Sequence, residues 1–522
     1  MISPEATDPD TDYGSRVTVL SIQSRHIPYP MELSLTRGDL LQLDPISRKG
    51  TLRLLPIGKK KKQKLVVGDD SGHIGCYEFK KGEPQVVFTT RPFTSPITSV
   101  ILGGNQLKSD KIFTSQGQMI LGVTKKGKEF FKLTSTLTET ISNLIVEENR
   151  IWIGCEFILN IYDDGKDSSF YMSRDQINAL VVDHISNDHH KDSILGCQDG
   201  ILRVIQDAKS FLEIPLGASI TSLANLHFDV PGVLLSKKEP VGVVFGLVNG
   251  KLGVIRIDKL RDNSHEIIWE IPDEKKSPIT QIKVCDISRE RGTDFVIGRD
   301  DGRVEVFSTG ADSGEGGNFI EPEKVFVYDL GETVCGLDVG FVNSTDYQEI
   351  VVACFSGKIV SFTSEPVTKR AQDDTYGRSI QKINDENRIK NLTKEIEQLK
   401  SKINQEREKL KKASSVAMDQ VKYAAQDFNI NSRFLLEEEY AAYSLSFELQ
   451  SPIDIIVIRS AVTLSIMDHE QSNCTIYITP KDKVADESSK YIATCKVQND
   501  EKRMTLLIRS TEGTHSGYLE CD

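Results

Sequence analysis

Two adjacent aspartates, Asp300 and Asp301, lie between glycines in the stretch "GRDDGRVEVF", which runs from Gly298 to Phe307. Carboxylates in a glycine-containing turn can hold a cation, but a calcium loop needs further carboxylates at alternate positions and a closing acidic residue. Those residues are absent. Because a tight hairpin favours glycine after Asp or Asn, we expect a turn that needs Gly302 and leaves both aspartates exposed.

Two other stretches carry side chains that could bind a ligand. The segment "DHISNDHHKDS" could be read as a metal site, but adjacent histidines in a loop do not converge easily, and we expect a solvated loop; its candidate ligands are His184, His189, His190, Asp183, Asp188 and Asp192. A basic run could meet an acidic partner or anionic lipid head groups, or could be an ordinary inter-strand loop; it comprises Lys59, Lys60, Lys61, Lys62 and Lys64.

Composition limits the classes of function. The 522 residues carry a formal net charge of -12, which disfavours broad nucleic-acid binding because the phosphate backbone needs a basic face. The nine cysteines form no C-x-x-C pair, and we expect buried free thiols in a reducing, cytosolic setting. No P-loop, dinucleotide fingerprint or nucleophile elbow is present, so we predict no cofactor and no catalytic activity.

The opening stretch is one copy of a repeat. Related segments consist of an apolar run, a small residue, three turn residues that end in glycine, and an alternating strand; their glycines are Gly72, Gly117, Gly200, Gly250, Gly302 and Gly357, and a weaker copy has Ile158 instead. The spacing is roughly 47 residues, within the range of about 40 to 50 for propeller blades. A second recurring strand precedes most copies. The pattern predicts a seven-bladed β-propeller over residues 31–365, with Leu33 to Leu43 completing the last blade.

A different composition begins after Glu365. Residues 366–415 form a predicted linker and coiled-coil helix, because aliphatic side chains recur at a and d positions of a heptad that Glu406 interrupts once. Such a seam could lie on the propeller, but it more often pairs with a partner helix. Its members are Ile389, Leu392, Ile396, Leu399, Ile403 and Leu410.

Short β-rich runs return in residues 427–522. Seven predicted strands with frequent turns indicate an Ig-like β-sandwich. The chain ends within or just after the last run, which we interpret as a shortened product. The fold class is therefore mainly β: a seven-bladed propeller, then a coiled-coil helix, then a sandwich, with residues 1–30 as a disordered extension.

Several segments, in this order, resemble the Bardet-Biedl syndrome 7 family of BBSome subunits: "VTKKGKEFFKLTSTLTETI", "LGCQDGILRVIQ", "WEIPDEKK", "VIGRDDGRVEVFS", "EIVVACFSGKIVSFTSEP", "YIATCKVQ" and "LLIRSTEG". The resemblance runs from about Met31 to the end. It implies a sandwich like the γ-adaptin ear, and a platform and helical tail that are absent here.

The resemblance also implies a function. A non-catalytic scaffold subunit of a coat-like complex would carry membrane-protein cargo to and from cilia. Its partner would be chiefly the second Bardet-Biedl syndrome protein, through the coiled coil, and a GTP-bound Arf-like GTPase would recruit the complex to membranes. The expected locations are the cilium, the basal body or centrosome and the cytoplasm, peripheral at the ciliary membrane. Two alternatives stay open: another vesicle-coat or intraflagellar transport subunit, and a soluble propeller enzyme with a ligand in its channel.

Overall fold

The computed structural model describes residues 33–366, five positions between 394 and 405, and residues 429–521. Gaps in the described ranges are 59–60, 81, 94, 106–107, 186–190, 207, 227–240, 259–263, 290–291, 311–320, 438–439, 468–473, 480–490, 498–500 and 511–518. The predicted extension, residues 1–30, lies outside the described residues.

Seven four-stranded antiparallel sheets form the blades of a propeller. Blades 1 to 3 are β2 (Leu52–Leu54), β3 (Leu65–Gly68), β4 (Ile74–Lys80) and β5 (Glu83–Thr89); β6 (Ser99–Asn105), β7 (Lys108–Gln116), β8 (Met119–Thr124) and β9 (Glu129–Thr134); and β10 (Asn143–Glu147), β11 (Arg150–Gly154), β12 (Ile158–Asp163) and β13 (Lys166–Met172). Blades 4 and 5 are β14 (Ile177–Asp183), β15 (Asp192–Cys197), β16 (Ile201–Gln206) and β17 (Lys209–Pro215); and β18 (Ile220–Leu226), β19 (Val241–Leu247), β20 (Leu252–Asp258) and β21 (Ser264–Ile271). Blade 6 is β22 (Ile279–Cys285), β23 (Asp294–Arg299), β24 (Arg303–Ser308) and β25 (Glu323–Asp329).

Blade 7 is built from both ends of the propeller sequence. Its strands β26 (Val334–Gly340), β27 (Glu349–Cys354) and β28 (Lys358–Thr363) are joined by β1 (Thr36–Gln42), which pairs antiparallel with β28. Thr36 faces Thr363 and Gln42 faces Lys358. The prediction that Leu33 to Leu43 completes the last blade is confirmed by this pairing.

The cores lie between neighbouring blades. The second strands β3, β15, β23 and β27 are buried along their whole length, which explains why their sequences are apolar without alternation. One cluster joins blades 6 and 7 through Val296, Val306, Val352 and Phe362, all fully buried. Each blade therefore depends on its neighbours for a closed core.

Three blades each have a buried carboxylate at the same position of the blade. These carboxylates were not predicted as a motif from the sequence. Asp192, Asp294 and Glu349 open the second strands of blades 4, 6 and 7 and are at most 3% exposed. Asp294 accepts the N–H of Ile287 at 2.7 Å, and Glu349 accepts the N–H of Asn343 at 2.7 Å. Each carboxylate satisfies backbone donors of the loop before its strand, which would otherwise be buried without a partner.

The turn of blade 6 requires glycine for two reasons: its backbone conformation and the lack of room for a side chain. Gly302 has φ +94°, and a Cβ there would lie 2.8 Å from the backbone nitrogen of Glu332. We expect Gly302→Ala to lower the free energy of unfolding by about 2–3 kcal/mol, since strain and overpacking add. Gly165 has φ +74° with no atom within 4 Å. Gly165→Ala should therefore lower the free energy of unfolding by only about 1–2 kcal/mol. Chemical denaturation of both variants measures the difference. Equal losses of stability would contradict the steric contribution at Gly302.

The last part of the chain is a sandwich of two four-stranded sheets, with orders β29-β30-β35-β32 and β33-β34-β31-β36. Its strands are β29 (Asn431–Glu437), β30 (Ala442–Glu448), β31 (Ile455–Ser460), β32 (Leu464–Met467), β33 (Cys474–Ile478), β34 (Tyr491–Val497), β35 (Arg503–Ser510) and β36 (Leu519–Cys521). Seven of these correspond to predicted strands. Strand β29 was not predicted, because "NSRFLLEEEY" does not alternate cleanly between apolar and polar residues.

Five residues between 394 and 405 are described, and all are α-helical and exposed: Lys394, Gln398, Ser401, Lys402 and Gln405. In the predicted heptad these residues fall away from the a and d positions. No described helix is long and apolar enough to span a membrane.

Candidate functional site: the junction of propeller and sandwich

One face of the sandwich carries polar side chains toward the propeller. Asn431 pairs with Glu448 across β29 and β30, and Glu448 pairs with Arg503 of β35, so the three side chains share one face of the sheet. Arg433, two residues after Asn431, extends this row. Ser444, Ser446 and Glu448 of β30 are all buried although they point away from the sandwich core. The row is therefore the docking face of the sandwich.

Asp300 is the centre of the junction. Its carboxylate lies 2.7 Å from Arg433 Nη1 and 2.9 Å from Arg503 Nη2. Its side chain is only 13% exposed. The expectation that Asp300 is an exposed turn residue was wrong, because the sandwich covers this turn of blade 6. Burial alone would raise the pKa of Asp300, but Arg433 and Arg503 outweigh it and hold the pKa below its ordinary value.

A second buried carboxylate lies beside the first and comes from the sandwich. Glu448 is 2% exposed and accepts the backbone N–H of Thr333 at 2.9 Å. Asn431 Nδ2 donates to the same carboxylate at 3.0 Å, and the hydroxyl of Thr333 contacts it as well. The carboxylates of Asp300 and Glu448 thus belong to different domains, and each accepts hydrogen bonds from the other domain.

Two further contacts widen the junction. Lys502 Nζ lies 3.0 Å from Glu332, in the loop between blades 6 and 7. Burial favours a higher pKa for Glu332, but hydrogen bonds from Ser356 and Lys502 and the charge of Lys502 leave the pKa below its ordinary value. Asn429 Nδ2 donates to Asp70 of blade 1 at 2.6 Å. Blades 6, 7 and 1 therefore all contribute to the junction.

The junction can fix an orientation but shows no catalytic arrangement. Its charged groups are carboxylates and guanidinium or ammonium groups that neutralise one another, and hydrogen bonds among charged groups are strong and directional. A nucleophile with an adjacent base would be needed for group transfer, and the one such pair among the junction residues named above, the Thr333 hydroxyl and Glu448, is buried between the domains at 3% and 2% exposure. The arrangement holds the two domains, propeller and sandwich, in one geometry.

The lining of the central channel can be compared with what the alternative reading, a propeller enzyme with a ligand in its channel, would need. A cavity of about 980 Å³ follows the inner strands, and the residues that line it in the described part of the chain include no histidine and no Phe, Tyr or Trp. Glu147 and Glu156 are its carboxylates, and Glu147 is paired with Lys191 at 2.7 Å. The cluster of inward carboxylates, histidines and aromatic residues that a channel enzyme would need is not found in this lining.

Two groups of candidate metal ligands have ordinary structural contacts. Asp44, Asp69 and His73 bring ligand atoms within 4.8 Å of one another, but Asp44 is exposed and Asp69 accepts the backbone N–H of His73 at 2.8 Å, as a turn requires. In the segment around His184, Asp183 accepts the N–H of His184 at 2.7 Å and Asp192 accepts that of Ile185. Asp188, His189 and His190 lie outside the described residues.

Only some of the predicted site residues are among the residues that the structure describes. The seam residues Ile389, Leu392, Ile396, Leu399, Ile403 and Leu410 lie outside the described residues, and the seam stays a prediction. In the basic run, Lys59 and Lys60 are also outside them. Lys61 is exposed, Lys62 donates to the carbonyl of Asn343, and Lys64 lies 3.9 Å from Glu78. The run lies in the loop between β2 and β3, away from the junction.

The two domains match two family models. The model described as BBS7 beta-propeller matches residues 52–364, and the BBS7 GAE domain matches residues 427–521. The chain is 35% identical over 93% of its length to the Mus musculus protein named BBSome complex member BBS7, and 24% identical over 92% to the Caenorhabditis elegans protein named BBSome complex member bbs-7. It spans 65% and 64% of the lengths of these curated relatives.

Solved structures share the propeller fold at low identity. A structure titled as BBS1N in complex with ARL6DN is 13% identical and covers 64% of this chain and 97% of that chain, with a TM-score of 0.46. A Myceliophteria thermophila Cps50 (Swd1) β-propeller is 10% identical and covers 63% of this chain and 100% of that chain, also with a TM-score of 0.46.

Proposed function

Because the chain belongs to the BBS7 family, we propose that it is a non-catalytic scaffold subunit of the BBSome, a coat-like complex that traffics membrane-protein cargo to and from cilia. The observation that carries the proposal is the junction, in which Asp300 and Glu448 bind a propeller and an ear-like sandwich together through charged groups of both domains. A scaffold needs such a fixed relation between modules, and the hydroxyl of Thr333, which contacts the Glu448 carboxylate, is buried in the junction out of reach of a substrate.

The proposed partner surface is the predicted coiled-coil seam. It would pair with a helix of the second Bardet-Biedl syndrome protein, and other BBSome subunits would contact the remaining faces. Support comes from the exposed helical residues, such as Gln398 and Ser401, which fall at heptad positions outside the seam. The basic run around Lys61 is proposed as a weaker patch for an acidic partner or a lipid head group.

Recruitment belongs to the complex rather than to this chain alone. A GTP-bound Arf-like GTPase would bring the assembled BBSome to the membrane, where this subunit would be peripheral. The proposed locations are accordingly the cilium, the basal body or centrosome, and the cytoplasm.

Seam variants test the proposal. Ile396→Asp with Leu399→Asp would place charges in an apolar seam, and burying an unpaired charge is strongly unfavourable. We expect this double variant to lose the partner subunit in affinity purification from ciliated cells followed by mass spectrometry.

Gln398→Asp with Ser401→Asp is the matched control, because it adds the same two charges on the exposed side of the helix. This control should keep the partner. Retention of the partner by the seam variant would contradict the seam assignment, and recovery of a different coat complex with the unmodified chain would contradict BBSome membership.

A further inference from the structure

The central channel of the propeller is largely lined by neutral polar groups. Its wall includes Thr98, Ser99, Asn143 and Asn178 from the inner strands and the loops before them. Its volume of about 980 Å³ lies in the range of roughly 300–1,000 Å³ that small-molecule sites occupy. The channel therefore offers many hydrogen-bonding groups and space for a small ligand.

One sector of the wall is basic although the chain as a whole is acidic. Arg48, Lys49 and Arg53 enter the lining from blade 1 and the loop before it. Lys283, on the inner strand β22 of blade 6, is neutralised by Asp338 of blade 7 at 2.8 Å. Lys49 and Arg53, by contrast, have no carboxylate oxygen within 4.0 Å among the residues described. This sector carries an excess of positive charge.

Donors converge in this sector beside Gly50. A Cβ at Gly50 would lie 3.9 Å from Arg53 Nη2 and 3.9 Å from Gln281 Nε2. Arg53 Nη1 donates to the carbonyl of Leu52 at 2.8 Å, which leaves Nη2 without an acceptor in the described part of the chain. The side-chain amide of Gln281 likewise makes no hydrogen bond there. A guanidinium edge and an amide N–H₂ thus face the same small space, and Lys49 belongs to the same channel lining.

Lys49 is exposed to the channel and Arg53 is half-buried. The surrounding channel wall lowers the pKa of Lys49, and the charge of Asp300 only partly opposes this. Burial also lowers the pKa of Arg53, with Asp338 opposing. An anion nearby favours the charged form of a cation in such surroundings. An anion in the channel would supply the missing charge and accept the free N–H groups.

We propose that Lys49, Arg53 and Gln281 form a site in the channel for a small phosphate-bearing anion. The fork of Arg53 suits phosphate oxygens, and Lys49 adds a point charge. The phosphate can belong to a free polyphosphorylated molecule or to a lipid head group. The site stands independently of the assembly proposed above.

Binding to the purified chain tests the site. Inositol hexakisphosphate is the soluble probe, and vesicles with and without phosphatidylinositol 4,5-bisphosphate are the lipid probe. Calorimetry and thermal unfolding should show binding and a raised unfolding temperature. Lys49→Gln with Arg53→Gln should weaken binding by about tenfold or more, since charge-assisted hydrogen bonds are lost. Binding of the soluble probe alone identifies a free anion, and binding of the vesicles alone identifies a head group.

The control removes the same charge elsewhere. Lys125→Gln with Lys126→Gln changes an exposed turn of blade 2 and should bind as the unmodified chain does. Without probe, the channel variant should unfold at about the same temperature, because Lys49 is exposed and Arg53 is only half-buried. Lys49→Gln alone is a milder second variant, since its side chain makes no hydrogen bond within the described ranges. No binding by the unmodified chain, or equal binding by both double variants, would overturn the proposal.

Discussion

Glu305→Gln is expected to lower the free energy of unfolding by about 3–5 kcal/mol, because it leaves buried cations without their anion. Glu305 is fully buried and lies 2.6 Å from Arg299 Nε, 3.1 Å from Arg303 Nη1 and 2.9 Å from Lys324 Nζ. Arg299 also donates to the carbonyl oxygens of Gly250 and Ser277, so the network ties blade 6 to the turn and loop of blade 5. Denaturant unfolding followed by far-UV circular dichroism measures the loss.

The matched control is Glu323→Gln on the adjacent strand β25, where the side chain is exposed. Its change in the free energy of unfolding should stay within about 0.5 kcal/mol, as for most surface substitutions. A similar stability of the two variants would mean that the remaining carboxylates neutralise the cations: Asp273 lies 2.6 Å from Arg303 and 3.4 Å from Arg299, and Asp301 lies 2.6 Å from Arg303.

Asp300→Asn is expected to open the junction and to raise the exchange rate of the Thr333 amide hydrogen by about 10- to 100-fold. This amide donates to Glu448 across the junction, so its exchange reports undocking directly. A double-mutant cycle of Asp300→Asn and Arg433→Gln should give a coupling free energy of about 1–3 kcal/mol. Hydrogen exchange with mass spectrometry of the peptide containing Thr333 is the measurement.

A surface ion pair provides the comparison. Glu147 and Lys191 are 2.7 Å apart within the propeller and are more exposed, at 42% and 28%. A double-mutant cycle of this pair should give a coupling free energy of less than about 1 kcal/mol. If the Asp300 and Arg433 cycle gave no more than this, the junction would not depend on that pair.

Acid should open the junction only in a low pH range. The pKa of Asp300 is lowered in the folded protein, so its contribution is complete above its ordinary value of 3.8 and is lost as the pH falls through the folded value. Thr333 protection should hold from pH 8 to about pH 5 and decline below about pH 4. The lowered pKa of Glu332 predicts the same direction.

The propeller could be predicted from the sequence because its signals are local and repeated. Gly302 and the corresponding glycines need positive φ at one position of a hairpin, and this need recurs at a fixed interval. The pairing of β1 with β28 followed from counting strands in the last blade, since a ring of blades has no free place for an unpaired strand.

The junction could not be predicted in the same way. Asp300 has the sequence context of an exposed turn, and its burial depends on Arg433 and Arg503, which lie more than a hundred residues away. The strand that carries Arg433 was also missed. The available signal was that polar residues such as Ser446 and Glu448 alternate with apolar ones in β30, which shows a second face but not what covers it.

Pairing of β1 with β28 also has a consequence for how the chain folds during synthesis. Thr36 emerges from the ribosome early, but its partner Thr363 emerges only after six blades have been made. Until then β1 has no partner, and the ring must close against the chain entropy of a very long loop. Such a high contact order predicts slow final folding. Exposed strand edges during that interval would make the nascent subunit a client for chaperones until the last strand is released.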